Sequence, residues 1–99
     1  MAFSTVDVAA PHAVDVHVDS ETLSVDLSDG RTISVPISWY PRLFHGTVAE
    51  RKSWHIIGAG EGIHFPKLDE DISVVSLIAG KPSAESQASL RKWLAGRGR

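Results

Sequence analysis

The sequence predicts an α+β fold: an antiparallel meander of about five strands, two short helices, and a C-terminal helix packed on one face. Two observations lead to this fold class. Between residues 13 and 37, apolar and polar residues alternate with a period of two, which is typical of strands with one face in water. Beyond residue 71, apolar residues recur at helical spacing instead.

Three strands follow from the alternation. Val14, Val16 and Val18 are predicted to point toward the core, as are alternate residues of the runs 23–27 and 33–37. Directly opposed residues share a face of a sheet, so the register must pair apolar residues with apolar residues.

That condition selects the loop lengths. A two-residue turn would put the apolar sets of the second hairpin on opposite faces, whereas a three-residue loop ending at Gly30 pairs Val25 with Ile33. Gly30 is then expected to be left-handed. In the first hairpin, a four-residue loop starting at Asp19 pairs Val16 with Val25.

The middle of the chain contains short elements. Pro41 suits the first turn of a short helix. Thr47 and Glu50 match a capping box, which predicts a second short helix over residues 48–53. The fourth and fifth strands are predicted at residues 54–57 and 63–65.

The segment GEGIHFPKLDEDIS, residues 60–73, admits two interpretations. An acid of the run LDED, residues 68–71, can cap a helix that begins near Ile72. His64 then lies on the preceding strand and is hydrogen bonded to one of these acids. Alternatively, His64, Asp69 and Asp71 carry ligand atoms for a metal or an acid–base site. No second histidine stands at helical spacing, so capping is the preferred interpretation.

The C-terminal helix is predicted to start behind a Ser83 cap. Its predicted buried residues are Leu90, Trp93 and Leu94. The basic residues at this end of the chain are Arg91, Lys92, Arg97 and Arg99. Cations near a helix C-terminus complement its dipole, and this is preferred over the alternative that they contact nucleic acid.

The composition bounds the class of protein. With 99 residues, 42% hydrophobic and 22% charged, the chain is predicted to form one domain over residues 1–99, with flexible segments at 1–12 and 96–99. It has no cysteine, so disulfides and thiol chemistry are excluded. No apolar run approaches the roughly 20 residues that span a membrane, and the N-terminus lacks the pattern of a signal peptide. A cytoplasmic location is expected.

The run Trp39–His45 is the best candidate for a binding surface, because Trp, Tyr and Arg are enriched at interface hot spots. Trp39, Tyr40 and Arg42 are predicted to bind a partner, with Tyr40 and Arg42 exposed. On this hypothesis, Arg42→Ala weakens binding with little change in melting temperature. The alternative is that the apolar residues of this run belong to the core.

The polar face of the first strands is the second candidate. Asp15, Asp19 and Asp26 lie there, and the acidic residues cluster in this part of the chain although the net charge is only −2. An acidic face suits a basic protein partner. These three aspartates complete the predicted partner-binding set.

Sequence motifs of enzymes are missing. The glycine cluster at residues 58–62 lacks both the dinucleotide-binding spacing and the lysine of a Walker loop, and it lies between two predicted strands, which favours a hairpin turn. No G-x-S-x-G elbow occurs. The chain is therefore predicted not to be an enzyme and to need no cofactor.

Three segments together resemble the bacterial family catalogued as domain of unknown function 2442. They are LSDGRTISVP at 27–36, WYPRL at 39–43, and GIHFP at 62–66 followed by LDEDIS at 68–73. The resemblance covers roughly residues 13–80. It implies a small α+β domain, often encoded beside a small partner with which it is proposed to form a toxin–antitoxin pair.

The first functional hypothesis is therefore a non-enzymatic protein-interaction module, an antitoxin-like inhibitor or partner of a small toxin or nucleic-acid enzyme. Membrane association and direct binding to nucleic acid are not expected. Formation of a homodimer is an alternative that the sequence does not decide. One alternative is a nucleic-acid-associated regulator that uses the basic C-terminal helix. Another is a metal-dependent enzyme at His64, Asp69 and Asp71.

Overall fold

The computed structural model describes residues 10–97. Within this range, short strands and helices follow one another in mixed order. They are β1 (Ala13–Val18), β2 (Thr22–Leu27), β3 (Thr32–Pro36), a 3₁₀ turn (Ile37–Trp39), α1 (Pro41–Phe44), α2 (Val48–Lys52), β4 (His55–Ile57), β5 (Gly62–Phe65), β6 (Glu70–Ser73), α3 (Val74–Ile78) and α4 (Gln87–Arg97).

The strands form two three-stranded antiparallel sheets, one with the order β1-β2-β3 and the other with the order β4-β5-β6. The predicted α+β class with a C-terminal helix is confirmed. The single meander of about five strands is wrong, because the described residues hold six strands in two sheets. The first sheet ends at Pro36, which has no N–H to donate, and three helical segments follow before β4 begins.

The predicted register of the first sheet is confirmed. Val25 pairs with Val16 on one side and with Ile33 on the other. Gly30 has a φ of 94°, which is the left-handed conformation that the three-residue loop requires.

The prediction that Val14 points toward the core is wrong. The register of β1 is irregular between Ala13 and Asp15, where a bulge lies. A bulge adds one residue to one strand and so breaks the alternation of faces. As a result Ala13 is buried and Val14 is 53% exposed, whereas Val16 keeps its predicted place in the core.

The helix predicted from near Ile72 begins at Val74, because the residues before it form β6 and pair with β5. Its N-cap is Ser73, whose hydroxyl oxygen accepts a hydrogen bond from the backbone N–H of Ser76. The predicted cap by an acid of the LDED run is therefore wrong. Asp69 lies in the turn before β6 with a φ of 51°, a conformation that Asp tolerates better than most residues.

The two sheets are joined at Gly60, in the turn that the glycine cluster forms between β4 and β5. The carbonyl of Gly60 accepts a hydrogen bond of 2.8 Å from the backbone N–H of Ala13. Gly60 has a φ of 95°, and a Cβ there would lie 2.6 Å from the Cβ of His12. Only glycine allows this close approach.

Both sheets, the segment between them and α3 contribute to one core. Its buried residues are Ala13, Val16, Leu23, Val25, Leu27, Val35, Ile37, Tyr40, Leu43, Ile63, Phe65, Leu68, Ile72, Val74 and Leu77. The core therefore takes Tyr40 and Leu43 from the predicted binding run, although Tyr40 was expected to be exposed.

The short helices follow their sequence signals. Pro41 is at the start of α1, and Thr47 and Glu50 form the predicted capping box of α2. The segments expected to be flexible, 1–12 and 96–99, lie mostly outside the described residues.

The C-terminal helix starts later than predicted. Its first turn is capped by Ser86, whose hydroxyl oxygen accepts a hydrogen bond from the N–H of Ser89. Ser83 is not the cap, and its hydroxyl accepts a hydrogen bond from the N–H of Glu85 instead. The predicted apolar stripe, Leu90, Trp93 and Leu94, is half-buried. None of the helices within residues 10–97 is long and apolar enough to cross a membrane.

Candidate functional site

The predicted partner-binding residues fall into two regions. Trp39, Tyr40 and Arg42 lie where the 3₁₀ turn passes into α1. The three predicted aspartates belong to the first sheet and its first turn. The structure gives these two groups different environments.

Arg42 is held inside the fold by acidic and main-chain oxygens. Its guanidinium donates to Glu85 at 2.6 and 2.9 Å and to the carbonyl of Asp69 at 3.0 Å. The side chains of Arg42 and Glu85 are only 14% and 9% exposed. The expectation that Arg42 is exposed is therefore wrong, because its planar donor group serves as an internal cross-link.

The same guanidinium packs against the C-terminal helix. Arg42 Cζ lies 5.1 Å from the ring centroid of Trp93, and Arg97 Cζ lies 4.6 Å from it. Cations at this distance are attracted to the indole ring. Arg97 also donates to both carboxylate oxygens of Glu50, at 2.8 and 3.0 Å. These contacts attach α4 to α1 and α2.

The hydrogen bonds from Arg97, reinforced by the backbone N–H of Thr47, lower the pKa of Glu50 to about 2. Arg97 is thus engaged within the fold rather than free for nucleic acid. Of the other basic residues at this end, Arg91 and Lys92 are exposed, and Arg99 lies outside the described residues.

Tyr40 is only 4% exposed, so the expectation that it is exposed is also wrong. Its hydroxyl has no hydrogen-bond partner among the described residues. Burial, and then the negative charge of Glu70, raises the pKa of Tyr40 to about 12. Burial, and then the charge of Glu85, likewise raises the pKa of Glu70 to about 7. Trp39 is half-buried against the core.

The outer face of the first sheet carries polar side chains in two cross-strand rows. The first row is Asp15, Asp26 and Thr32, and the second is His17, Ser24 and Ser34. We call these six residues the acidic face. The side chains of Asp15 and Asp26 are 51% and 38% exposed, and no Lys or Arg within residues 10–97 forms a salt bridge with either.

His17 stands beside both carboxylates of the acidic face. Its Nε2 lies 3.4 Å from Oδ2 of Asp15 and 3.6 Å from Oδ2 of Asp26. The other oxygen of each carboxylate is fixed at 2.8 Å: Oδ1 of Asp15 accepts from the N–H of Val16, and Oδ1 of Asp26 accepts from the hydroxyl of Thr32. Oδ2 of each aspartate, which we call the free oxygen, is therefore held near the imidazole.

Asp19 has a structural role. Its Oδ1 accepts hydrogen bonds from the backbone N–H groups of Glu21 and Thr22, at 2.8 and 2.7 Å. These two bonds lower the pKa of Asp19. The side chain is exposed, but it closes the turn between β1 and β2 and stands outside the two rows of the acidic face.

His64, Asp69 and Asp71 do not converge on one point. His64 and Asp71 are paired across β5 and β6 and hydrogen bonded through Nδ1 and Oδ1, so the predicted bond between His64 and an acid is confirmed. Oδ2 of Asp69 lies 3.4 Å from Nη1 of Arg42 instead. Within residues 10–97, the only set of three side chains close enough to hold a metal ion is on the acidic face.

Comparison with protein families gives a match over most of the chain. The family described as protein of unknown function, DUF2442, matches residues 13–83. The chain belongs to this family. The resemblance seen in the sequence is thereby confirmed. The matched part of this DUF2442 domain includes the acidic face and Arg42, but it ends before Glu85 and the helix that carries Trp93.

Two solved structures are similar to the DUF2442 domain. A protein of unknown function from Rhodospirillum rubrum ATCC 11170 is 28% identical with a TM-score of 0.69, and the match covers 83% of this chain and 99% of that one. An uncharacterized protein from Chromobacterium violaceum is 20% identical with a TM-score of 0.64, over 87% of this chain and 75% of that one. The second shows likeness of fold alone. The curated proteins contain no match.

His17 and Thr32 are residues of the acidic face that the sequence pattern does not single out. The register already places His17 on the same face as Asp26, so the signal was present. The partners of Arg42 have no comparable signal, because Glu85 and Trp93 are distant in sequence and no local pattern links them to α1.

Proposed function

We propose that this DUF2442 domain is a protein-interaction module whose acidic face binds a basic surface of a partner protein. The observation that carries the proposal is the position of Asp15 and Asp26. They stand directly opposite each other on the solvent face, and no Lys or Arg of the described chain pairs with them. Like charges at opposed positions destabilise a sheet, and a cationic partner would relieve that cost.

The rest of the acidic face suits a flat contact. Ser24 and Ser34 share a hydrogen bond of 2.7 Å, and the hydroxyl of Thr32 is bonded to Asp26. These short side chains do not project far from the sheet, so a Lys or Arg of a partner can reach both carboxylates. Complementary charge of this kind raises the rate and specificity of association.

Two arguments support one class of partner: the acidic charge of the face, and the toxin–antitoxin pairing that the sequence resemblance implies. A toxin or enzyme that acts on nucleic acid needs a basic surface to contact phosphates. An acidic domain seated on that surface would block access of the nucleic acid, which is the action of an antitoxin-like inhibitor. The function is non-enzymatic, and the cytoplasmic location expected from the sequence is part of the same proposal.

The predicted aromatic group has no place in this interface. Tyr40 is in the core, Trp39 packs against it, and Arg42 is paired with Glu85. Of the six residues predicted to bind a partner, Asp15 and Asp26 carry the proposal. Asp19 stands at the rim, where its side chain already closes a turn.

Co-expression of the domain with the protein encoded beside its gene tests the proposal. We expect the two proteins to copurify, the domain to rescue any growth defect that the neighbour causes, and the complex to weaken as salt is raised. The double variant Asp15→Lys/Asp26→Lys should lose both copurification and rescue.

Glu21→Lys is the control for each substitution, because it makes the same change of charge as Asp15→Lys or Asp26→Lys alone, at an exposed residue outside the acidic face. This variant should still copurify. The proposal is wrong if no complex forms, or if the double variant binds as well as the control.

A further inference from the structure

Three side chains of the acidic face bring ligand atoms of two kinds to one point. Nε2 of His17 and carboxylate oxygens of Asp15 and Asp26 all lie within 4.8 Å of one another. The two nitrogen–oxygen distances, 3.4 and 3.6 Å, are longer than a hydrogen bond of about 2.7–3.2 Å. The imidazole is therefore close to both carboxylates without being hydrogen bonded to either.

The two nitrogen–oxygen distances are close to those between neighbouring ligands of a coordinated metal ion. Zinc–nitrogen and zinc–oxygen bonds of about 2.0–2.2 Å at tetrahedral angles place neighbouring ligand atoms about 3.4 Å apart. An ion placed among the three atoms could contact each of them with little movement of the side chains. Direct cross-strand pairing of Asp15 with Asp26 keeps the two carboxylates together.

We propose that Asp15, His17 and Asp26 bind one divalent transition-metal ion, with zinc as the ion that the ligands suit best. Imidazole nitrogen with carboxylate oxygen suits zinc and its neighbours, whereas magnesium and calcium prefer oxygen ligands alone. The site is on the surface, so the remaining coordination positions face water. Zinc and a basic side chain of a partner would compete for the same carboxylate oxygens, so zinc binding is a property of the domain without its partner.

Groups outside the cluster orient two of its ligands. The N–H of Val16 and the hydroxyl of Thr32 each hold one oxygen of a carboxylate and leave the other near the imidazole. Metal-binding carboxylates are commonly fixed by such outer hydrogen bonds, and loss of one weakens affinity by roughly 10–100-fold. Thr32 is therefore assigned a positioning role.

A bound cation would also remove an unfavourable feature of the free domain. Asp15 and Asp26 repel each other across β1 and β2, and the ion would be shared between them. Because the three ligands come from two strands, they are together only in the folded chain. Metal binding is therefore expected to raise the melting temperature.

Calorimetric titration of the untagged, chelator-treated full chain with ZnCl₂ tests the inference. We expect one equivalent of zinc per chain and a melting temperature that rises with zinc concentration. His17→Ala should weaken zinc binding at least about tenfold. Asp26→Asn should weaken zinc binding to the same extent, although its amide oxygen can still accept the hydrogen bond from the hydroxyl of Thr32. Thr32→Val should weaken it by roughly tenfold or more.

His64→Ala is the matched control, because it removes a histidine that is paired with a single acid on the other sheet. This variant should keep one equivalent of zinc. The inference is overturned if the wild-type chain takes up no zinc at micromolar concentrations, or if His17→Ala and His64→Ala bind zinc equally. Magnesium or calcium binding as tight as zinc binding overturns the choice of metal.

The metal site and the partner surface can fail separately. Copurification of the wild-type domain with the protein encoded beside the gene is measured with chelator present, and zinc uptake is measured on the domain alone. A domain that copurifies in chelator but takes up no zinc overturns the metal site and leaves the partner surface in place. A domain that takes up zinc but does not copurify overturns the partner surface and leaves the metal site in place.

Discussion

The guanidinium of Arg42 and the carboxylate of Glu85, 43 positions apart in the sequence, form an ion pair that is largely shielded from water. The pair ties α1 to the segment in front of α4, and the same arginine contacts Trp93 on that helix. The run that looked most like a binding surface in the sequence is therefore the attachment point of the C-terminal helix.

Arg42→Ala is expected to lower the free energy of unfolding by about 1.5–3 kcal/mol, because Glu85 loses the hydrogen bonds of its charged partner. This reverses the sequence-based hypothesis that the variant leaves the melting temperature almost unchanged. Urea unfolding measures the effect. Arg91→Ala, at an exposed arginine of α4, should cost less than about 0.5 kcal/mol. Equal losses in the two variants would contradict the role given to Arg42.

Glu50 provides a test at acid pH. Its pKa is about 2 in the folded chain, held down first by the hydrogen bonds from Arg97, and about 4.5 is its ordinary value. A carboxyl with a depressed pKa stabilises the fold fully above the ordinary value, and the stabilisation is lost as the pH falls toward 2. The unfolding free energy of the wild type should therefore approach that of Glu50→Gln between pH 4.5 and pH 2. If the difference in unfolding free energy between the wild type and Glu50→Gln stays constant over this range, Arg97 does not stabilise the ionised form of Glu50.

Glu70 should show the opposite dependence. Its pKa is raised to about 7, first by burial and then by Glu85, Asp71 and Asp69, while Arg42 opposes the shift. Between pH 4.5 and pH 7 the unfolded chain releases a proton that the folded chain keeps, so stability falls as the pH rises.

Glu70→Gln removes this pH dependence. The variant should match the wild type near pH 4.5 and be more stable than the wild type at pH 8, as measured by urea unfolding at both values. A variant that is less stable at pH 8 would show that the ionised carboxylate of Glu70 is favourably bound.

Ser73→Ala tests the corrected start of α3. The serine accepts a hydrogen bond from the N–H of Ser76 at the first turn, and its loss should cost about 0.5–1 kcal/mol. Asp71→Ala should instead disturb the pairing with His64, which a histidine side-chain NMR signal can report. If Ser73→Ala costs nothing, Ser73 does not cap α3. An unchanged histidine signal in Asp71→Ala would contradict the pairing of His64 with Asp71.

Local patterns explain what could be predicted of the fold. The register around Val25 follows from alternation and loop length, and both are readable over a few residues. The bulge at Ala13 is different, because Val14 fits the alternation as well as any strand residue and only the pairing with β2 reveals it.

Non-local pairing explains the main errors. Acids in front of an apolar run have the signature of a helix start, yet Glu70 and Asp71 are in a strand because β5 supplies their hydrogen-bond partners. The environment of Arg42 could not be predicted for the same reason, because its partner Glu85 is distant in the sequence. For the candidate site, the register places Asp15, His17 and Asp26 on one face, but the convergence of their free oxygens on Nε2 depends on side-chain orientation.

The stability of the acidic face provides the last prediction. In chelator, Asp15→Asn should raise the free energy of unfolding by a few tenths of a kcal/mol, up to about 1, because it removes one of two opposed negative charges. The amide oxygen of the new residue can still accept the hydrogen bond from the N–H of Val16, so the bulge is preserved.

Asp19→Ala should instead destabilise the domain, because the carboxylate of Asp19 closes the turn between β1 and β2. Urea unfolding of both variants, together with copurification of the neighbouring gene product, separates the two roles. If replacing a residue stabilises the fold and weakens partner binding, that residue contributes to binding and lowers the stability of the free domain. If Asp15→Asn destabilises the domain as Asp19→Ala does, Asp15 is structural, and the acidic face loses its strongest argument for function.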